Sequence, residues 1–166
     1  MLFRSVGVDV RRAVGDDAAA MAGVIAAVAP EDTLGAQPPV DVEARAQGFR
    51  DLIAEGAGAA WVLVDAGEVL GHLTLRPRTV GVFGLGMAIV SAGRGRGGGR
   101  ALVEAALTFA RESGAHKVDL EVWPDNARAI ALYAATGFVV EGLRERHYVR
   151  ADGTLRSSLI MARRLD

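Results

Sequence analysis

Gly93 to Arg100 read GRGRGGGR, five glycines and three arginines in eight residues. The apolar run VGVFGLGMAIV leads into them, and the apolar-periodic segment ALVEAAL follows. A chain that passes from a strand through glycine straight into a helix leaves the first-turn N–H groups without partners, at the positive end of the helix dipole. Glycine lets those amides approach a ligand with no Cβ in the way. Arg94, Arg96 and Arg100 add charge where an anion would sit, so the junction suits phosphate or pyrophosphate. Other reactive types are sparse. The absence of cysteine removes disulfides, thiolate metal sites and cysteine nucleophiles together. The three histidines, His72, His116 and His147, show no ligand spacing, so no metal is expected.

Other readings of the loop compete. Gly93, Gly95 and Gly98 formally match G-x-G-x-x-G, with Asp119 downstream where a ribose-binding acid could fall. Against a dinucleotide fold, an antiparallel section precedes the motif and Asp119 lies inside its strand. No G-K-[ST] follows, which excludes a P-loop. A nucleic-acid-binding RGG segment would be long and terminal, not wedged between two elements. A solvated loop whose arginines face water is the remaining alternative.

The elements that must position this junction can be read from pattern. VDVRRA alternates as a short strand. Asp16 or Asp17 caps a helix that stops before Pro30, and Val42 to Ala54 reads as a second helix. AAWVLVD and VLGHLTLRPR are strands joined at Ala66-Gly67-Glu68, a hairpin signal. A third strand covers Val82 to Val90, where Gly84 and Gly86 suggest a bulge or a close backbone approach. A helix from Gly99 to Ser113 follows the loop. KVDLEVW alternates Val118, Leu120 and Val122 against Asp119, Glu121 and Trp123. A helix from Asn126 to Gly137 and a last hairpin around Asp152-Gly153 complete the order β-α-α-β-β-β-α-β-α-β-β. This predicts one α/β domain over residues 1–166, antiparallel at both ends with a parallel crossover in the middle. With 166 residues, half of them apolar, and net charge −1, a single globular core is expected and a dedicated nucleic-acid binder is not. The start, MLFRSVGVDVRR, lacks a signal-like apolar core, and Ala18 to Ala29 is too short to cross a bilayer. The expected location is the cytoplasm, with no membrane partner.

RGRGGG fits the Arg/Gln-x-x-Gly-x-Gly/Ala pattern of the GCN5-related N-acetyltransferases. LEVWPDNARAIALYAATGF resembles the strand–Asn–helix–Tyr–Gly-Phe block of that family, and the DG…MARRL ending is also similar. The resemblance runs from Gly84 to the C-terminus; the first half agrees in element order. It implies a mixed β-sheet splayed near its middle, with helices on both faces, and acetyl-CoA as acetyl donor. The backbone of Met87, Ala88 and Ile89 would pair with the pantetheine arm, and Arg94, Gly95, Arg96, Gly97, Gly98, Gly99 and Arg100 would surround the pyrophosphate. Asn126 would contact the cofactor. Gly98 departs from the pattern, since the family usually has an apolar residue there; its loss predicts a first turn looser by about 1 kcal/mol.

The implied reaction needs a neutral amine, a stabilised oxyanion and a proton for the departing thiolate. With no cysteine, acetyl passes directly to the amine in a ternary complex. Tyr133, two helical turns beyond Asn126, is the candidate acid, since a phenol with a pKa near ~10 stays protonated at neutral pH. Glu121 is the candidate base, with a water relay as the alternative, and main-chain N–H groups around Met87 to Ile89 are the oxyanion donors. His147 and Tyr148 fall where the family often lines its acceptor pocket, whereas His72 and His116 read as structural or surface residues. The expected acceptor is a small-molecule primary amine of amino-acid or amine-antibiotic type. A peptide or protein N-terminus comes second, a non-catalytic acyl-CoA-binding module third. The exposed C-terminal hairpin makes a homodimer an expectation.

Overall fold

The structure is a computed structural model; it describes residues 3–5 and 7–165, with side chains from residue 7. Eight strands form one mixed sheet: β1 (Phe3–Ser5), β2 (Val8–Arg12), β3 (Ala59–Asp65), β4 (Glu68–Thr79), β5 (Val82–Ile89), β6 (Lys117–Val122), β7 (Val139–Val149) and β8 (Leu155–Arg164). Their spatial order is β1-β2-β3-β4-β5-β6-β8-β7. Every neighbouring pair is antiparallel except β5 and β6. Those two are joined by α3 (Gly98–Glu112), the crossover a parallel pair requires. Strand β1 lies beyond the elements the pattern foretold.

Two apolar clusters sandwich the sheet. The helices α1 (Ala18–Val28) and α2 (Val42–Glu55) bury Met21, Ile25, Phe49 and Leu52 against Ala60, Val62 and Ala88. On the opposite face, α3 and α4 (Ala127–Ala135) cover Leu63, Leu73, Leu75, Val118 and Leu120. Helix α3 buries Leu102, Val103, Ala106, Leu107 and Ala110, a stripe at helical spacing. Asp41 caps α2, its carboxylate accepting from Ala44 N at 3.0 Å. Asp17 precedes α1 but does not cap it; its carboxylate accepts two hydrogen bonds from Arg11, at 2.7 and 2.9 Å, and one from Val14 N.

The feature that makes a site is where the sheet comes apart. Strands β5 and β6 pair only at Val82↔Lys117, Phe83↔Val118 and Gly84↔Asp119. Beyond Gly84 they diverge, and among the described residues the edge of Leu85–Ile89 facing β6 has no strand partner. The bulge expected near Gly84 lies instead on β4, between Pro77 and Thr79. Gly84 serves a close approach: a Cβ there would meet Arg78 Nε at 2.2 Å, so Arg78 lies down across the strand toward Asp119, 3.5 Å away. That ion pair gives Asp119 a partner within the sheet.

The expectation about Gly98 is corrected. A Cβ at residue 98 would sit 2.6 and 2.7 Å from the two methyls of Leu63, itself fully buried. The space the family's apolar residue would fill is occupied from β3, and glycine lets the first turn of α3 settle onto it.

Candidate active site

A cavity of about 550 Å³ opens where β5 and β6 part. Met87, Ala88 and Ile89 form one side. Arg94, Gly95, Gly97, Gly99 and Arg100 close one end. Gly97 takes the N-cap of α3 with φ 80°, in the left-handed region, and provides no side-chain cap. The first intrahelical bond comes from Ala101 N to Gly97 O, so the N–H groups of Gly98, Gly99 and Arg100 lack helical acceptors. Glu121, Asn126 and Tyr133 line the cavity as well. Asn126 also caps α4, its side chain accepting from Ala129 N at 3.2 Å.

Two of the residues expected around a pyrophosphate point elsewhere. Arg96 turns away from the cavity, donating to Asp65 at 2.7 Å and to Gly7 O at 2.7 Å. Gly98 is pressed on Leu63 and does not line the wall. Arg94 lines it, yet its donors tie the loop together through Ile89 O at 2.8 Å and Glu31 at 2.7 Å. Arg128, on the first turn of α4, lines the cavity too, a cation that no motif marks.

Glu121 is held by three donors. Its Oε2 accepts from the Tyr148 hydroxyl at 2.6 Å and the Ser158 hydroxyl at 2.8 Å, and its Oε1 from Arg144 at 2.8 Å. Partial burial pushes its pKa up, but these hydrogen bonds and the charges of Arg144 and Arg78 outweigh that and hold it below the usual range. The carboxylate is therefore ionised at neutral pH. Burial drives Tyr133 the other way, up to about 12, so its hydroxyl keeps its proton throughout the working range. Tyr133 packs on Phe138 and still reaches the cavity.

Tyr148 reaches Glu121 from beyond an irregularity in β7. Pairing with β8 shifts between Arg144 and Tyr148, and Arg146 adopts φ 49°. Four residues of β7 there span two of β8, so two extra residues bulge out, and Arg144 before the bulge and Tyr148 after it both reach Glu121. Tyr148 turns inward, and His147 is exposed beside it. Trp123, just past β6, is buried and lines the same end. Its neighbours are the edge of Tyr148 and the guanidinium groups of Arg150 and Arg156, at 5.4, 5.5 and 5.1 Å.

The geometry fits coenzyme A: glycine-borne amides at a helix start for phosphates, an opened strand edge for an extended amide-bearing arm, and a phenol and a carboxylate beyond it. This is the class of an acyl-carrier-dependent transferase with a splayed sheet. The sequence profile of the acetyltransferase (GNAT) family matches residues 27–138, and the chain belongs to that family. Over 102 residues it is 32% identical to the L-amino acid N-acetyltransferase AaaT of Escherichia coli, covering 58% of this chain and 62% of that protein. The chain spans less than two thirds of the length of the curated relatives it matches. A ribosomal-protein-alanine N-acetyltransferase from Brucella melitensis superposes with a TM-score of 0.83 at 26% identity, over 94% of this chain and 99% of that one. The yncA protein of Salmonella typhimurium, solved with its cofactor acetyl-CoA, gives a TM-score of 0.85 over 97% and 95% of the two chains. At 21% identity that likeness concerns the fold.

Proposed function

We propose that the protein is an acetyl-CoA-dependent N-acetyltransferase that acts on the primary amine of a small molecule by direct transfer. One observation carries this reading: a single cavity connects the uncapped start of α3, the unpartnered edge of Leu85–Ile89, and the pair Glu121 and Tyr133. The amide groups of Gly99 and Arg100 and the guanidinium of Arg100 would hold the phosphates, and the edge of Met87 to Ile89 the pantetheine arm. Bound acetyl-CoA supplies acetyl as a thioester, whose C–S bond breaks as the amine nitrogen forms the new C–N bond. Glu121, ionised, takes the proton the amine must lose, directly or through one water. The Tyr133 hydroxyl donates its proton to the departing sulfur. No cysteine is present to carry the acetyl group, which supports one-step transfer.

The acceptor end supports a small molecule over a peptide. The loop after α1 is strapped across it, Arg150 donating to Asp32, Leu34 O and Gly35 O, and Gln37 accepting from Ala151 N at 2.7 Å. AaaT, named for L-amino acids, points the same way.

The test is a pair of variants assayed by thiol release. Tyr133→Phe should bind coenzyme A as the parent does, with kcat down about 100-fold, the lower end of general acid contributions. Glu121→Gln should lose rate mainly near neutral pH and recover in part at high pH, where more amine is neutral. A Tyr133→Phe rate within about twofold of the parent, or superimposable Glu121→Gln and parent pH profiles, would remove these roles.

A further inference from the structure

The transferase reading leaves the acceptor's own chemistry open, and the far end of the cavity constrains it. Away from the glycine loop, the wall is made by Val28, Leu34, Ala88, Trp123 and Tyr148, with Gly86 in the floor. Among the described residues lining that end, Glu121 is the one charged side chain, and its three donors are already in place.

Apart from the Thr33 hydroxyl, the polar groups of the covering loop named here are engaged. Leu34 O accepts from Trp123 Nε1 at 3.3 Å and from Arg150 at 3.4 Å, and Gly35 O accepts from Arg150 at 3.0 Å. Asp32 is taken by Arg150 and Arg156, and Asp125 by Arg156. The two guanidinium groups in turn flank the Trp123 ring. These contacts fix Leu34 and Trp123; the hydroxyls near them include those of Thr33, on the cavity wall, and Thr74, beside Gly86. The floor supplies room. A Cβ on Gly86 would find Thr74 Oγ1 as its nearest neighbour, at 3.4 Å, so the space above the strand is open.

We infer that the acceptor amine carries an apolar or aromatic group, and that Leu34, Trp123 and the open space over Gly86 form the subsite that takes it. This rests on the transferase reading above. A polar substituent laid against Leu34 and the indole would lose water on those faces, whereas hydrocarbon would be removed from water against them at a gain. Discrimination of about tenfold per well-placed methylene is within reach of such a pocket.

The test compares isoamylamine and phenethylamine with ethanolamine, and leucine and phenylalanine with glycine and serine, at saturating acetyl-CoA. The expected kcat/KM is at least about tenfold higher for the apolar member of each comparison. Leu34→Ser should erase most of that ratio by removing apolar surface while KM for acetyl-CoA holds, and Gly86→Val should erase it by filling the space. A readout independent of turnover is Trp123 emission in the coenzyme A complex, measured on the parent and on Trp61→Phe, which leaves Trp123 as the one indole. Isoamylamine should change it saturably and ethanolamine should not. Turnover that favours the polar amines would overturn the subsite and leave the transferase standing. A saturable isoamylamine signal with no amine consumed would do the reverse. Trp123 emission indifferent to every apolar amine also overturns the subsite.

Discussion

His72 should make the fold measurably acid-sensitive, though it takes no part in the chemistry. It lies on β4, 3% exposed, between Val62 and Ala88 in register, with the ring of Phe49 edge-on at 5.0 Å. Its Nδ1 is buried without a hydrogen-bond partner among the described residues. Burial, and secondarily the charge of Arg45, push its pKa down from 6.5 to about 4. The folded state therefore favours the neutral ring. Because the folded pKa lies below the unfolded one, this contribution is complete above pH 6.5 and is lost as pH falls from there to about 4. The full drop corresponds to about 3 kcal/mol, and going from about pH 7.5 to pH 5 should cost about 2 kcal/mol of it. Urea unfolding of the parent and of His72→Leu across that range gives the measurement. Leucine is apolar, of similar bulk and untitratable. The carboxylates contribute equally to both proteins, so the difference between the two curves isolates residue 72. The parent should lose about 2 kcal/mol relative to the variant by pH 5. Parallel curves would show that the imidazole charges in place, reaching water or a partner, and would refute the reasoning.

Three further outcomes follow from the geometry. Coenzyme A at about 100 times its Kd should stabilise the fold by about 2.7 kcal/mol in thermal melts and NAD should not; Gly97→Val, which forces a branched side chain onto φ 80°, should abolish the coenzyme A shift. Gly98→Ala sets helix propensity, worth about 1 kcal/mol in favour, against overpacking on Leu63, about 1–3 kcal/mol against. Packing should win because the Leu63 methyls are within 2.7 Å of the new Cβ, and a stabilised variant in urea would reverse that judgement. Arg150→Ala should cost about 2 kcal/mol, since it leaves the carbonyls of Leu34 and Gly35 short of a charged donor. It should also raise KM for the amine while leaving KM for acetyl-CoA unchanged, and equal changes in both would show that the strap does not bear on the acceptor.

Much of this was legible in the chain itself because it is local. Strand alternation, the Ala66-Gly67 turn, the helix start at Asn126 and the glycine junction before α3 depend on neighbours a few residues apart, and each forms where its pattern places it. The family resemblance likewise rests on contiguous residues from the glycine loop to the block around Tyr133. What pattern could not supply depends on approach between distant segments. Gly98 looked like a missing apolar contact until Leu63, from β3, was seen to occupy the space. Arg96 looked like a phosphate ligand by type, but the direction of a long side chain is set by its partners, here Asp65 and Gly7; Arg94 lines the cavity while bonded to Ile89 O and Glu31. Arg144 and Tyr148 meet on Glu121 across a bulge around Arg146, a convergence of β7 on β6 that alternation along one strand does not show. Glu121 shows the division most plainly. Its place on an alternating strand was readable, but its ionisation was decided by Tyr148, Ser158 and Arg144, donors that only the folded sheet brings within 3 Å.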